Sequence, residues 1–303
     1  MHGLDDPVRF SVASGRRCAG LPLEPRARRG AKRALALAAA VLVGLTGAEA
    51  GAATIFAQGF ETDTSGWLGD GDPGTWPWGT ITRVPSGGGT LGVPSASGSF
   101  HAEVTMSSVG SSGAATRYGG YSSVWPAGGF RQSLDIYIDP DQGNVGDGWF
   151  IDSALYDNSG AWLEAGGIGA RKTAEGVWSL VADEDGAGYP LDTDPSTDLD
   201  ITSAGWFTIV SEWKEEAGQV ARWTYVYDSG GNLLYSDTLP HPRPDLSEVG
   251  GWGYTWVGRS TAPAGFTLAI DNSRLTTLPE PGAAALLGLG LAGLGARRRS
   301  RRD

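Results

Sequence analysis

The chain has 303 residues, 40% hydrophobic and 19% charged, with 48 Gly, 17 Pro, 12 Trp and one Cys. That is too aromatic for a wholly disordered chain, and it lacks the every-third-glycine period of collagen. A formal charge of −11 argues against nucleic acid as a partner, because phosphate demands a basic face.

The charge is unevenly spread. The first 52 residues hold eight Lys/Arg against four Asp/Glu, and the last 25 hold five Arg against two acids. The stretch between keeps ten basic and 28 acidic residues, a net −18, together with all 12 Trp and all nine Tyr. This divides the chain into 1–52, 53–278 and 279–303. The middle segment is long and aromatic enough to bury a single core, and its acidity disfavours nucleic acid and anionic lipid.

Residues 1–52 read as a basic extension followed by a secretory signal peptide. Basic residues up to Arg33 precede an apolar run at 34–45, and Ala48-Glu49-Ala50 follows as a small-x-small cleavage pattern. The run's 12 residues make a helix of ~18 Å, short for a ~30 Å hydrocarbon layer, so they predict a cleaved signal helix and not a span. Cys18 lies here, so the processed protein is expected to contain neither disulfide nor thiolate ligand.

Between 53 and 278 helical periodicity is scarce. Short alternating runs bounded by Gly, Pro, Asp and Asn predict strands at 54–60, 130–138, 149–156, 177–181, 206–213, 221–227, 233–237, 252–257 and 266–275. In 130–138, Phe130, Gln132, Leu134, Ile136 and Ile138 alternate with Arg131, Ser133, Asp135 and Tyr137, the pattern of a strand with one buried face. Asp157-Asn158-Ser159-Gly160 and Asp228-Ser229-Gly230-Gly231 predict hairpin turns, because Asn, Asp and Gly tolerate positive φ. The fold class is therefore all-β, a single jelly-roll-type β-sandwich. Acidic groups at Asp139, Asp141 and Asp147, and at Asp192, Asp194, Asp198 and Asp200, read as solvated loops.

The edges of this domain carry a more particular pattern. Gly59-Phe60-Glu61 with Gly66-Trp67 opens it, and Ala269-Ile270-Asp271-Asn272-Ser273-Arg274-Leu275 closes it. These edges resemble the first and last strands of jelly-roll carbohydrate-binding modules and of concanavalin-like and galactose-binding-like bacterial sandwiches. The resemblance implies a structural calcium ion shared by Glu61 and Asp271 with backbone carbonyls; a pair of solvated carboxylates is the other reading. No other cofactor is expected.

Catalytic constellations are scarce. After signal removal only His101 and His241 remain as histidines, neither in a metal-ligand spacing, and there is no nucleophile elbow or phosphate-cradling loop. Retaining glycosidases resembling this fold carry Glu-x-Asp-x-Glu on one strand. The nearest match, Glu212-Trp213-Lys214-Glu215-Glu216, puts Lys214 between the acids. Aromatic faces for stacking sugars are abundant. Trp76 and Trp78, in a Gly/Pro-rich loop, are the expected exposed glycan platforms, whereas alternating Trp252, Tyr254 and Trp256 are expected to fill the core.

The last segment is the most specific. Pro279-Glu280-Pro281 is followed by 15 residues, 282–296, with no charge and no side-chain hydrogen-bonding group, and then by Arg297, Arg298, Arg299, Arg301 and Arg302. The prolines stop any regular element, the apolar run predicts a short transmembrane helix, and the arginines hold its end in the cytoplasm. This arrangement closely resembles the PEP-CTERM sorting signal of bacterial exopolysaccharide-associated proteins. The resemblance implies that an exosortase reads the tripeptide while the helix anchors an inner-membrane intermediate, after which the protein passes to the envelope or matrix. The chain thus reads as an exported, exosortase-sorted envelope or matrix protein without catalytic activity and without a nucleic-acid partner. A surface-retained carbohydrate-binding module, with exopolysaccharide as partner, is the alternative; a concanavalin-like glycoside hydrolase is third.

Overall fold

The computed structural model describes residues 52–69, 79–107, 113–116, 125–126, 128–183, 198–238, 245–252 and 255–279, and among these it holds sixteen strands and no helix. The signal peptide, the apolar tail with its arginines, Glu280, Pro281, Trp76 and Trp78 lie outside the described residues.

The first strands are β1 (Thr54–Gln58), β2 (Trp67–Leu68), β3 (Gly79–Pro85), β4 (Phe100–Met106), β5 (Gly113–Thr116) and β6 (Phe130–Ile138). Next come β7 (Gly148–Asp157), β8 (Trp162–Lys172), β9 (Trp178–Asp183), β10 (Leu199–Ile201) and β11 (Gly205–Glu216). The chain ends with β12 (Gln219–Asp228), β13 (Leu233–Thr238), β14 (Val249–Trp252), β15 (Thr255–Arg259) and β16 (Thr267–Thr277).

They form two sheets. One runs β13-β12-β11-β6-β16-β4-β3 with β1 also on β16; the other runs β10-β9-β8-β7-β15-β5-β2 with β14 also on β7. The pairings are antiparallel throughout. This is the all-β sandwich that the alternating runs predict.

The alternation in β6 is realised residue by residue: every odd member of the strand is buried and every even one half-buried. Leu134, Ile136 and Ile138 from β6 meet Trp149 and Ile151 from β7, with Trp178, Leu180, Ile209 and Val226 in the same core. A smaller apolar cluster of Phe130, Leu155, Trp213, Val220, Val249 and Leu275 fills one end of the sandwich. Each such side chain favours folding by ~1.5–3 kcal/mol relative to exposure.

Both hairpin turns form, and by one solution. Asp157 and Asp228 each accept the backbone N–H two and four residues on, at 2.8–2.9 Å, while Gly160 and Gly231 adopt positive φ. The predicted strand at 252–257 is divided between β14 and β15. β8 is absent from the sequence reading because glycines interrupt it. Gly167 must be bare, since a Cβ there would lie 1.8 Å from the Ile151 carbonyl of β7.

Candidate functional site

The last strand leads almost directly from the folded body into Pro279-Glu280-Pro281. Thr276 of β16 pairs with Thr54 of β1, the Thr277 N–H donates to the Ala53 carbonyl at 2.9 Å, and the Leu278 N–H donates to Gly129 at 2.8 Å. Pro279 then passes so close to the 128–129 turn that a Cβ on Gly128 would meet its carbonyl at 2.7 Å. The first and last described residues therefore leave the sandwich side by side, with only Leu278 between β16 and Pro279.

Glu61 and Asp271 are brought together by the segment between β3 and β4. Asp271 is fully buried and accepts the N–H groups of Ser97 at 3.1 Å and Asn272 at 2.8 Å. A register shift in β16 starts at Asp271, and Asn272 has a φ of 47°, so the strand kinks where that segment docks. Glu61 accepts the N–H groups of Ser99 at 3.0 Å and Phe100 at 3.2 Å. The carbonyls of Phe60 and Glu61 both take the Arg83 guanidinium, whose Nε lies 2.7 Å from the Phe60 oxygen.

A calcium ion needs ~6–8 oxygen ligands. Here the carboxylates face backbone donors and the adjoining carbonyls already face a cation. No group of three or more His, Cys, Asp or Glu able to hold a metal occurs among the described residues. The residues present do not fit a calcium cage. Accordingly, calcium or EDTA is expected to move the melting temperature by less than ~1 °C, where saturating a specific site would add several kcal/mol.

Burial pushes the Asp271 carboxyl up from 3.8 to about 6, and Asp135, opposite it across the ladder, adds to the rise. The folded state thus holds this proton more tightly than the unfolded chain. Its stabilisation is complete below ~4 and is lost as pH rises through ~6, an effect of up to ~3 kcal/mol. Asp271→Asn is expected to remove that slope from urea-denaturation profiles; parallel wild-type and variant curves would refute the assignment.

On the outer face of the same sheet, Glu212 of β11 lies opposite Arg131 of β6 and Trp223 of β12. It is buried, accepts the Arg131 Nε at 2.6 Å and is ion-paired to both Arg131 and Lys214. The Lys214 ammonium lies 5.2 Å from the centre of the Trp223 ring, and Trp223 Nε1 donates to Glu216 at 3.3 Å. Trp223, Tyr225 and Tyr227 alternate along β12 as a half-buried row, with the two tyrosine rings 6.3 Å apart. Burial, and then the Glu212 charge, push the Tyr225 hydroxyl up. Lys214, ion-paired to Glu212, stands between Glu212 and Glu216 where the glycosidase pattern has an aspartate.

At the opposite end of the strands, the loops after β6 and β15 border an open cleft of about 290 Å³ lined by Thr90, Gln142, Asn144, Asp147 and Phe266. The acidic loop there is built on turn chemistry. Asp139 accepts the Asp141 N–H at 2.8 Å and Asp147 accepts that of Asn144 at 2.7 Å. Of the other alternating aromatic set, Trp256 packs edge-on against Phe150 at 5.3 Å. Tyr254 and the side chain of Trp252 lie outside the described residues. The Trp223-x-Tyr-x-Tyr row is the feature sequence reasoning passed over, although its period of two was legible.

Residues 277–299 match the PEP-CTERM protein-sorting motif, which implies export, passage through the membrane and processing by an exosortase. No curated protein matches the chain. Among solved structures, it is similar to the CBM2 module of the evolved Dit of Lactobacillus casei BL23 phage J-1, at 11% identity over 75% of this chain and 96% of that one, with a TM-score of 0.45. It is also similar to the Lotus tetragonolobus seed lectin, at 10% identity over 76% and 100%, TM-score 0.42. The cellulose induced protein Cip1 matches at 13% identity over 73% and 96%, TM-score 0.39. Likeness at this level implies no common ligand or activity.

Proposed function

We propose that the chain is a non-catalytic envelope or matrix protein, a self-contained sandwich delivered by its sorting tag. The observation that carries this is the position of the tripeptide, which begins two residues after the last strand. A cut there leaves all sixteen strands and both apolar clusters intact. Intact-mass analysis of the protein from cells is expected to give a chain beginning near residue 51 and ending near 279, in the envelope or medium. A full-length chain in the cytosol would overturn this.

A second reading, a glycan-binding module, is favoured by the Trp223, Tyr225 and Tyr227 row beside Thr208, Lys214 and a donor hydroxyl on Tyr225. Flat rings flanked by donors and acceptors suit the apolar faces and hydroxyls of a sugar chain. Trp76 and Trp78 remain part of this reading. Calorimetry against a panel of neutral and acidic polysaccharides is expected to find a ligand that Trp223→Ala weakens at least ~10-fold, ~1.4 kcal/mol. No heat with any polysaccharide removes it. Glu212, ion-paired to Arg131 and Lys214, lends a hydrolase no support.

A further inference from the structure

The pairing of β1 with β16 fixes more than the fold. It gathers the exit to the tail, the 128–129 turn and the tip of the β11–β12 hairpin at one pole of the sandwich. β11 continues three residues past the Trp213–Phe130 pair before turning at Ala217-Gly218, so the hairpin overhangs that pair by ~10 Å at ~3.3 Å per residue. Asp245 and Leu246 pack on the same tip: Leu246 N–H donates to Gly218, and Asp245 bridges Gln219.

The chain between this pole and the apolar run is short. Four peptide units join Leu278 to Gly282, at most ~14 Å at ~3.6 Å each. We propose that, while the tail is in the bilayer, the sandwich stands on end against the lipid headgroups, with the hairpin tip at Glu215–Gln219 facing the membrane and the cleft beside Asn144 and Asp147 facing away. The proposal rests on the tail acting as a membrane-inserted sorting tag. The tether keeps this pole within ~14 Å of the apolar run, and the 11 residues of β16 span ~36 Å, so in the end-on attitude the far pole is carried that distance from the lipid.

The chemistry of the near pole adds a second property. Glu215 and Glu216 lead into the hairpin tip, Asp245 bridges Gln219 beside it, and Lys214 is already ion-paired to Glu212. Such a surface repels anionic lipid, so the covalent tether, and not adhesion, holds the domain in place. Cutting the tether is then also the step that frees it.

The test uses the full chain with Cys18→Ser and one new cysteine, either Gln219→Cys at the near pole or Val145→Cys, 65% exposed, at the far pole. Each is labelled with an environment-sensitive fluorophore and reconstituted in phosphatidylethanolamine/phosphatidylglycerol vesicles containing a headgroup nitroxide lipid. Several-fold stronger quenching at 219 than at 145 is expected. Raising salt from ~0.01 M to ~1 M, which shortens the Debye length from ~30 Å to ~3 Å, is expected to deepen quenching at 219 in these vesicles but not in phosphatidylcholine. Equal quenching at both positions, in protein that floats with the vesicles, overturns the orientation alone. Quenching at 219 that weakens with salt overturns the repulsion. Protein that fails to float overturns the sorting reading and this inference with it.

Discussion

Replacing Pro279, Glu280 and Pro281 together by alanine is expected to abolish maturation while leaving the folded domain unchanged. The two prolines fix φ and remove two backbone donors, and Glu280 is the one charge between β16 and the 15 apolar residues. An enzyme reading this segment at the membrane has little else to grip, because Leu278 is already hydrogen-bonded into the sandwich. The variant should accumulate as a membrane-held precursor whose mass still includes the arginine cluster, with processed product reduced at least ~10-fold, ~1.4 kcal/mol in apparent specificity. Its melting temperature should match that of the wild type to within ~2 °C, since all sixteen strands end before the tripeptide. Normal processing of the triple variant would refute the assignment of the tripeptide.

Trp178→Ala is expected to be the most damaging single change in the sandwich. The side chain is buried, its ring lies 6.0 Å from that of Trp149 and 5.8 Å from that of Phe266, and its Nε1 donates to the Asp139 carbonyl at 3.0 Å. It also forms the wall facing buried Lys172, whose ammonium lies 5.7 Å from the ring centre. Removing it opens a large cavity and strips the lysine of that ring, for a loss of ~3–5 kcal/mol. For a domain of this size the melting temperature should fall by ~6–20 °C. Trp178→Phe, which keeps most of the packing and loses the donor, should cost only ~1–2 kcal/mol. Urea denaturation of both variants separates packing from hydrogen bonding; a loss below ~1 kcal/mol for the alanine variant would contradict the packing described.

Strand faces were legible beforehand, but not which outer faces are covered. β6 keeps its outer face half-buried, and its nine residues announce both its limits and its buried side. β4 does not. His101 and Glu103 point to the outer face yet are buried under the segment before that strand. His101 meets Ser95 at 3.2 Å and Trp206 edge-on at 6.0 Å, while Glu103 accepts the N–H groups of Thr90 and Leu91. The sequence itself alternates, His101, Glu103 and Thr105 against Ala102, Val104 and Met106, so β4 was legible and the covering segment was not.

The same covering segment explains the calcium expectation. The neighbourhood of Glu61 and Asp271 was legible from the resemblance, but what fills it was not. Arg83 lies 22 residues from Glu61 in sequence, and no local pattern announces that its guanidinium will turn to the Phe60 and Glu61 carbonyls. The Glu212 cluster was hidden differently. Its spacing drew notice as a row of acids, whereas its partner Arg131 sits on another strand and becomes visible only once the register is known.

The place of β16 has a consequence for timing. This final strand lies mid-sheet, with β6 along one side and β4 and then β1 along the other. Until it arrives, the opening and later strands of that layer have nothing to join them. Such distant pairing is slow to form. That layer is therefore completed only by the residues that immediately precede Pro279-Glu280-Pro281.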